Sequence, residues 1–190
     1  MTHAAHRVAV IGHGPAAIET ADLLICMGDY FVDLFSQSPA PTCLIRFGST
    51  ERTTNDRNTV PRLRLFGNLR IGTGDDTVSL GDLTHYYDTV IIANETTDTA
   101  GELVVLGNSA KAAATYDFLR THTALPASRT TVVAAPSNAD KPGAIIAFLE
   151  SRKLPFTTWT GWHRPADRSR VTAAEWSCLL TMAHAVPATP

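Results

Sequence analysis

Apolar residues along this chain come in short β-branched runs separated by longer stretches with helical spacing. Arg7 to Ile11 (RVAVI) is a compact apolar run that predicts a strand, and it ends in the turn Gly12-His13-Gly14-Pro15-Ala16-Ala17. From Pro15 to Met27 the apolar positions repeat every three or four residues, with Ala17, Ala21, Leu24 and Ile25 on one side. That spacing predicts a helix, stopped by Gly28 at the C′ position. Tyr30 to Phe35 (YFVDLF) predicts a second strand. Strand, glycine turn, helix and strand make one βαβ unit with the right-handed crossover of parallel strands.

A stretch rich in Pro, Ser and Thr follows from Ser36 to Pro61, broken by one apolar island, Leu44 to Phe47; it reads as a long loop. Leu63 to Phe66, Asn68 to Ile71 and Thr77 to Leu80 are short runs bounded by Gly or Asp, which suggests small strands. Asp82 is expected to N-cap a brief helical turn through Tyr86, and Thr89 to Ala93 to be a buried strand. In the second half the pattern predicts a strand at Leu103 to Leu106 and a helix from Ser109 to His122, capped by Asn108 or Ser109. Strands are expected at Thr130 to Ala135 and Phe156 to Trp159, and helices at Pro142 to Lys153 and Ala173 to Ala185. No internal repeat, low-complexity tract or linker stands out. The expected architecture is one α/β domain over residues 1–190, a Rossmann-like three-layer fold with a central parallel sheet. Residues 1–107 would form its core with a small β insertion, and 108–190 its completion and tail.

Composition narrows the function without changing the fold. Hydrophobic residues at 44% and charged residues at 18% are globular proportions. With 16 basic against 18 acidic residues the net charge is -2, so nothing draws the chain to nucleic acid or to an anionic membrane. Cys26, Cys43 and Cys178 form no C-x-x-C, which argues against a zinc site or a disulfide framework and for a reducing, cytoplasmic compartment. The first residues lack the charged and apolar regions of a signal peptide, and Glu19 and Asp22 interrupt the longest apolar stretch, so no export or membrane span is expected. The seven histidines show no metal-ligand spacing. No G-x-S-x-G elbow is present, and no catalytic residue can be named.

The glycine turn carries the chemistry. Following a strand and opening a helix, Gly12-His13-Gly14-Pro15-Ala16-Ala17 matches G-x-G-x-x-G/A. Gly12 would allow the tight turn, Gly14 would let backbone approach a pyrophosphate, and Ala17 would let the helix pack closely on the strand. Helix N–H groups and the positive end of the helix dipole would face the phosphates, and Pro15 costs little in the first turn. Such a turn usually has a carboxylate at the end of the second strand to hold the adenosine ribose. Here that position is Ser36; Asp33 lies within the strand, on a sheet face. A turn that packs helix on strand and binds nothing stands beside the binding reading.

Further segments extend the pattern: Val32 to Phe35, Pro39-Ala-Pro41, Leu44-Ile-Arg-Phe-Gly48, Leu65-Phe-Gly-Asn68, Tyr86-Tyr-Asp88 with Val90 to Ala93, and later Trp159-Thr-Gly-Trp162. In this order the chain resembles the adrenodoxin-reductase-like ferredoxin-NADP reductases. The resemblance implies FAD along the glycine turn (Gly12, His13, Gly14, Pro15, Ala16 and Ala17) and beside Ser36, Leu44, Arg46, Ile71 and Asn94. It implies flavoprotein electron transfer with a protein redox partner. A second G-x-G-x-x-A turn for NADPH is absent from these 190 residues, so the expectation is the FAD-binding half of such a reductase without its NADPH domain. Ser36, Cys43 and Ala93-Asn94-Glu95 depart from the family at cofactor positions. They leave open a module without flavin that has an interaction or regulatory role and a regulatory partner.

Overall fold

The computed structural model describes residues 6–28, 30–37, 63–96, 99–132, 138–160 and 184–186. The first βαβ unit forms where the pattern places it: β1 (His6–Ile11), α1 (Pro15–Met27) and β2 (Tyr30–Phe35). β3 (Leu63–Gly67), α2 (Leu80–Tyr86) and β4 (Thr89–Thr96) follow. Then come β5 (Thr99–Leu106), α3 (Ala110–His122), β6 (Ala127–Thr130), α4 (Ala144–Ser151), β7 (Phe156–Thr160) and β8 (His184–Val186).

These strands form one eight-stranded sheet in the order β6-β5-β4-β1-β2-β3-β7-β8. β4, β1, β2 and β3 are mutually parallel, as an α/β Rossmann-like fold requires. β5 turns back antiparallel to β4, and β7 and β8 add an antiparallel edge beyond β3. Helices cover both faces. On one, Ala17, Ala21 and Leu24 of α1 and Leu119 of α3 pack against Val8, Val10 and Val105. On the other, Leu83 of α2 and Ile145 and Leu149 of α4 pack against Phe35, Phe66 and Val90. Burying a leucine such as Leu24 fully contributes on the order of 2 kcal/mol.

Local chemistry corrects several expected elements. Asn68 to Ile71 and Thr77 to Leu80 are not strands; they meet in one bridge between Ile71 and Val78, because Asn68 turns the chain with a left-handed φ of 59°. The N-cap of α2 is Ser79, not Asp82. The Ser79 hydroxyl accepts the Asp82 N–H at 3.0 Å, and the Asp82 carboxylate accepts the Ser79 N–H at 3.0 Å, a reciprocal capping box. Gly28 ends α1 in extended backbone instead of a left-handed C′ turn. β6 lies at Ala127–Thr130, earlier than Thr130 to Ala135, because its register is set against Leu103 to Leu106 of β5. His184 and Ala185, expected at the end of a helix, belong to β8; the rest of that expected helix lies outside the described residues.

An internal repeat, not apparent from the pattern, is also present. β5, α3 and β6 repeat β1, α1 and β2 at a constant separation of 95 residues, as from Gly12 to Gly107. Ile11 pairs with Phe35 and Leu106 with Thr130, both parallel. The Gly12 N–H donates to the Phe35 carbonyl at 3.0 Å, and the Gly107 N–H to the Thr130 carbonyl at 3.2 Å. Val10 and Val105, Gly12 and Gly107, Ala17 and Ala112, Thr20 and Thr115, and Leu24 and Leu119 are the identical pairs that pack or turn the chain. Because β4 is parallel to β1 and antiparallel to β5, the two units run in opposite directions, and their glycine turns lie at opposite ends of the sheet.

Candidate functional site: the glycine turn at the switch point

β1 leads on one side to β2 and β3 and on the other to β4, so the strand order reverses between β1 and β4. In open α/β sheets the crevice outside the carboxyl ends of the strands at such a point receives the ligand. Gly12 to Ala17 lie at that place, at the end of β1 and the start of α1.

Gly12 has φ of +154°, and a Cβ built on it would lie 2.7 Å from the Ala17 Cβ and 3.2 Å from the Ala93 carbonyl oxygen. No larger residue fits without moving α1 away from β1 and β4. A second glycine supports the same corner: a Cβ on Gly101 of β5 (φ +88°) would lie 3.1 Å from the Ala16 Cβ and 3.1 Å from the Asn94 carbonyl oxygen. The β4–β5 hairpin therefore rests directly on the first turn of α1.

Gly14 is the N-cap of α1 in extended backbone, Pro15 follows at N1, and Gly14 itself offers no side chain to cap the helix. α2 and α3 are closed by Ser79 and Ser109. A helix start whose N-cap is glycine, at a crevice of the sheet, can take an anionic group through its backbone N–H groups and dipole. His13 and Pro15 are exposed, whereas Gly14, Ala16 and Ala17 are buried. Gly12 packs the helix close to the strand, and Gly14 puts no side chain over the start of the helix, the backbone form that the G-x-G-x-x-G/A pattern describes.

The other predicted site residues divide into three groups. Asn94 is exposed at the carboxyl end of β4, beside the turn. Ser36 is buried just beyond β2, its N–H donating to the Phe66 carbonyl at 2.9 Å and its carbonyl accepting from the Leu69 N–H at 3.0 Å. Ile71 is half-buried and packs on the α2/α4 face of the sheet. Leu44 and Arg46 lie outside the described residues, as does Cys43.

Asp33 is excluded from any role at the strand tip, as alternation expects. It is buried, and its carboxylate accepts bonds from Arg7 on β1 at 2.7 Å, Arg64 on β3 at 2.7 Å and the Tyr87 hydroxyl at 2.7 Å. Burial first, and then the Asp33 charge, hold the Tyr87 hydroxyl well above its usual pKa. This cluster was not visible in the sequence, since its members become neighbours only when three parallel strands pair. One signal was available: Arg7, Asp33 and Arg64 are ionisable residues inside otherwise apolar strand runs.

Two curated proteins match part of the chain. The NADPH:adrenodoxin oxidoreductase, mitochondrial, of Drosophila melanogaster is 33% identical over 96 residues, covering 45% of this chain and 20% of that protein. A Schizosaccharomyces pombe protein named as a probable mitochondrial NADPH:adrenodoxin oxidoreductase gives the same identity and coverage. Over that stretch the chain is a distant relative of these reductases. The matched stretch spans a fifth of the length of each relative. No protein-family model matches the chain, and no solved structure does. Among the described residues no helix is long and apolar enough to cross a membrane.

Proposed function

We propose that this chain binds FAD at the glycine turn and takes part in electron transfer with a protein partner. The observation that carries the reading is the position of the glycine turn and the start of α1, Gly12 to Ala17, at the carboxyl end of β1 where the strand order reverses. The resemblance to the adrenodoxin-reductase-like ferredoxin-NADP reductases favours a flavin dinucleotide, and the distant relationship to NADPH:adrenodoxin oxidoreductases supports that resemblance. The backbone at residues 12–17 would hold the pyrophosphate, and Ser36 would stand toward the adenosine ribose, with one hydroxyl in place of two carboxylate oxygens. Asn94 would flank the turn from β4. Leu44, Arg46 and Ile71 are assigned to the flavin side by the family resemblance alone. When bound, FAD supplies the one- and two-electron chemistry that the side chains lack. A nicotinamide or another electron source would come from outside this turn, which holds one dinucleotide.

The burial of Ser36 favours a second reading, a Rossmann module with an interaction or regulatory role and no flavin. Purification followed by a visible spectrum and a titration with FAD, read by flavin fluorescence and gel filtration, separates the two. The first reading expects flavin to co-elute with the protein, and expects Gly14→Val to lose it while the circular dichroism spectrum stays unchanged. A colourless protein that takes up no added FAD leaves the second.

A further inference from the structure

The two repeated βαβ units are seated on the sheet with unequal strength. On α1 the side chains of Ala16, Ala17, Ile18, Ala21 and Leu24 are buried, and its strands β1 and β2 lie inside the sheet. α3 buries Ala112, Thr115 and Leu119, of which only the leucine is a large apolar anchor. β6, at the end of the described sheet, is four residues long and exposes Arg129 and Thr130. Few buried apolar contacts and an exposed edge mark the part of a protein that opens first.

What lies beneath α3 is polar. His6 of β1 reaches this face, its Nε2 3.1 Å from the Thr89 hydroxyl oxygen and 3.5 Å from that of Thr115. Thr89 and Thr115 are both fully buried. The Thr115 hydroxyl donates to the Lys111 carbonyl at 2.9 Å, which leaves its oxygen to accept. The His6 ring lies 4.9 Å from that of Tyr30, and the Tyr30 ring 5.4 Å from that of Phe118 on α3. The first unit thus brings His6 and Tyr30 to this seam, and the second brings Lys111, Thr115 and Phe118.

Charged and titratable groups face His6 from each side among the described residues. Tyr30 comes from β2, Asp88 from the residue ahead of β4 and Lys111 from α3, while His122 stacks on Phe118 one ring further out. Arg7, next along β1, turns to the other face and bonds Asp33. The Asp88 carboxylate is already held by Lys111 at 2.7 Å. Burial is the largest cost of a charge on His6; Asp88 opposes that cost and Lys111 adds to it. Lifting α3 gives the imidazolium water and takes Lys111 away, whereas Asp88, ahead of β4, stays. Acid therefore favours the lifted state over the seated one.

We infer that His6 is a pH latch on the second unit: in acid α3 lifts from the sheet together with β6, while β1, α1 and β2 stay folded. This opening is independent of what the glycine turn binds.

Hydrogen exchange of the full chain at pH 7 and pH 5, corrected for the intrinsic pH dependence of exchange, reads the opening directly. The lifted unit takes up the His6 proton near pH 6.5, and the seated one holds it off down to about 4. The Ala110–His122 amides are accordingly expected to lose at least about tenfold in protection between the two pH values, and the α1 amides to keep theirs. His6→Gln, neutral at both pH values, is expected to remove the difference. Unchanged α3 protection, an equal loss in α1, or a loss that persists in His6→Gln overturns the latch. Should His6→Gln not fold, the parent protein decides: the NMR shifts of the Ala112 and Leu119 methyl groups are expected to titrate with the midpoint of the His6 imidazole, and a different midpoint overturns the latch.

Discussion

Asp33 on β2 accepts two parallel hydrogen bonds from the Arg64 guanidinium on β3, Nε to Oδ1 at 2.7 Å and Nη2 to Oδ2 at 2.5 Å. Arg7 on β1 reaches the same Oδ2 at 2.7 Å, so one carboxylate holds two guanidinium groups, all of them buried. Removing the shared anion leaves two cations in the interior with nothing to balance them. Asp33→Asn keeps the shape and deletes the charge, and is expected to cost about 3–5 kcal/mol, the range for breaking a buried ion pair by removing one partner. Urea unfolding monitored by circular dichroism measures it. A loss below about 1 kcal/mol would mean that water reaches the cluster and screens it.

Tyr87 completes that cluster, its hydroxyl donating to Asp33 Oδ2 at 2.7 Å. Its pKa is raised well above the ordinary value of 10.0, by burial first and then by the Asp33 charge. A raised folded-state pKa means that the unfolded chain releases the proton first. The stability due to this group is therefore present below pH 10 and is lost as the pH rises beyond it. Stability measured across the alkaline range should fall above about pH 10 more steeply in the parent than in Tyr87→Phe. At neutral pH the same substitution should cost about 1–3 kcal/mol, because Asp33 loses a donor it cannot replace with water. Parallel alkaline limbs in the two proteins would remove Tyr87 as the cause.

The first βαβ unit was legible in the sequence because every level agreed: an apolar run, a glycine turn with Pro at N1, helical spacing and a second apolar run. α1 and β2 fall on the residues that the pattern gave. The Asp33 cluster was hidden because Arg7, Asp33, Arg64 and Tyr87 are joined only by the pairing of β1, β2 and β3. The repeat was hidden for a different reason. Its identities are mostly small or common residues, Gly, Ala, Thr and Leu, whose meaning lies in matched burial and hydrogen bonds. The cap of α2 was missed because Asp82 fills the position that Glu or Gln usually takes in a capping box, so the acid and not Ser79 stood out as the cap.

His6 lies beside the first unit with Nε2 3.1 Å from the Thr89 hydroxyl and its ring 4.9 Å from that of Tyr30. Burial depresses its pKa to about 4; nearby Asp88 pulls it upward and Lys111 pushes it further down. The unfolded chain takes up the proton near pH 6.5, before the folded chain does, so stability should decline as the pH falls from 6.5 to about 4 and level off for this group below that. An NMR titration of the imidazole protons should place its midpoint well below those of exposed histidines. His6→Gln should flatten the acid limb over the same window. A midpoint near 6.5 for His6 would refute the assignment.

Gly12 and Gly107 test whether the turns serve the fold or the ligand, because they share geometry and differ in what stands beside them. A Cβ at Gly12 meets Ala17 at 2.7 Å, and one at Gly107 meets Ala112 at 2.5 Å and the Asp88 carbonyl oxygen at 2.8 Å. Both residues also hold positive φ, so alanine is strained as well as crowded. Gly12→Ala and Gly107→Ala should each cost about 1–3 kcal/mol in urea unfolding, with Gly107→Ala the more damaging since its closest neighbours include rigid backbone. Binding should separate them. Gly12→Ala displaces the start of α1 and should weaken FAD uptake, whereas folded Gly107→Ala, altered only at the opposite end of the sheet, should bind FAD like the parent. Equal loss of FAD in both variants would show that uptake follows overall stability and not the geometry of the first turn.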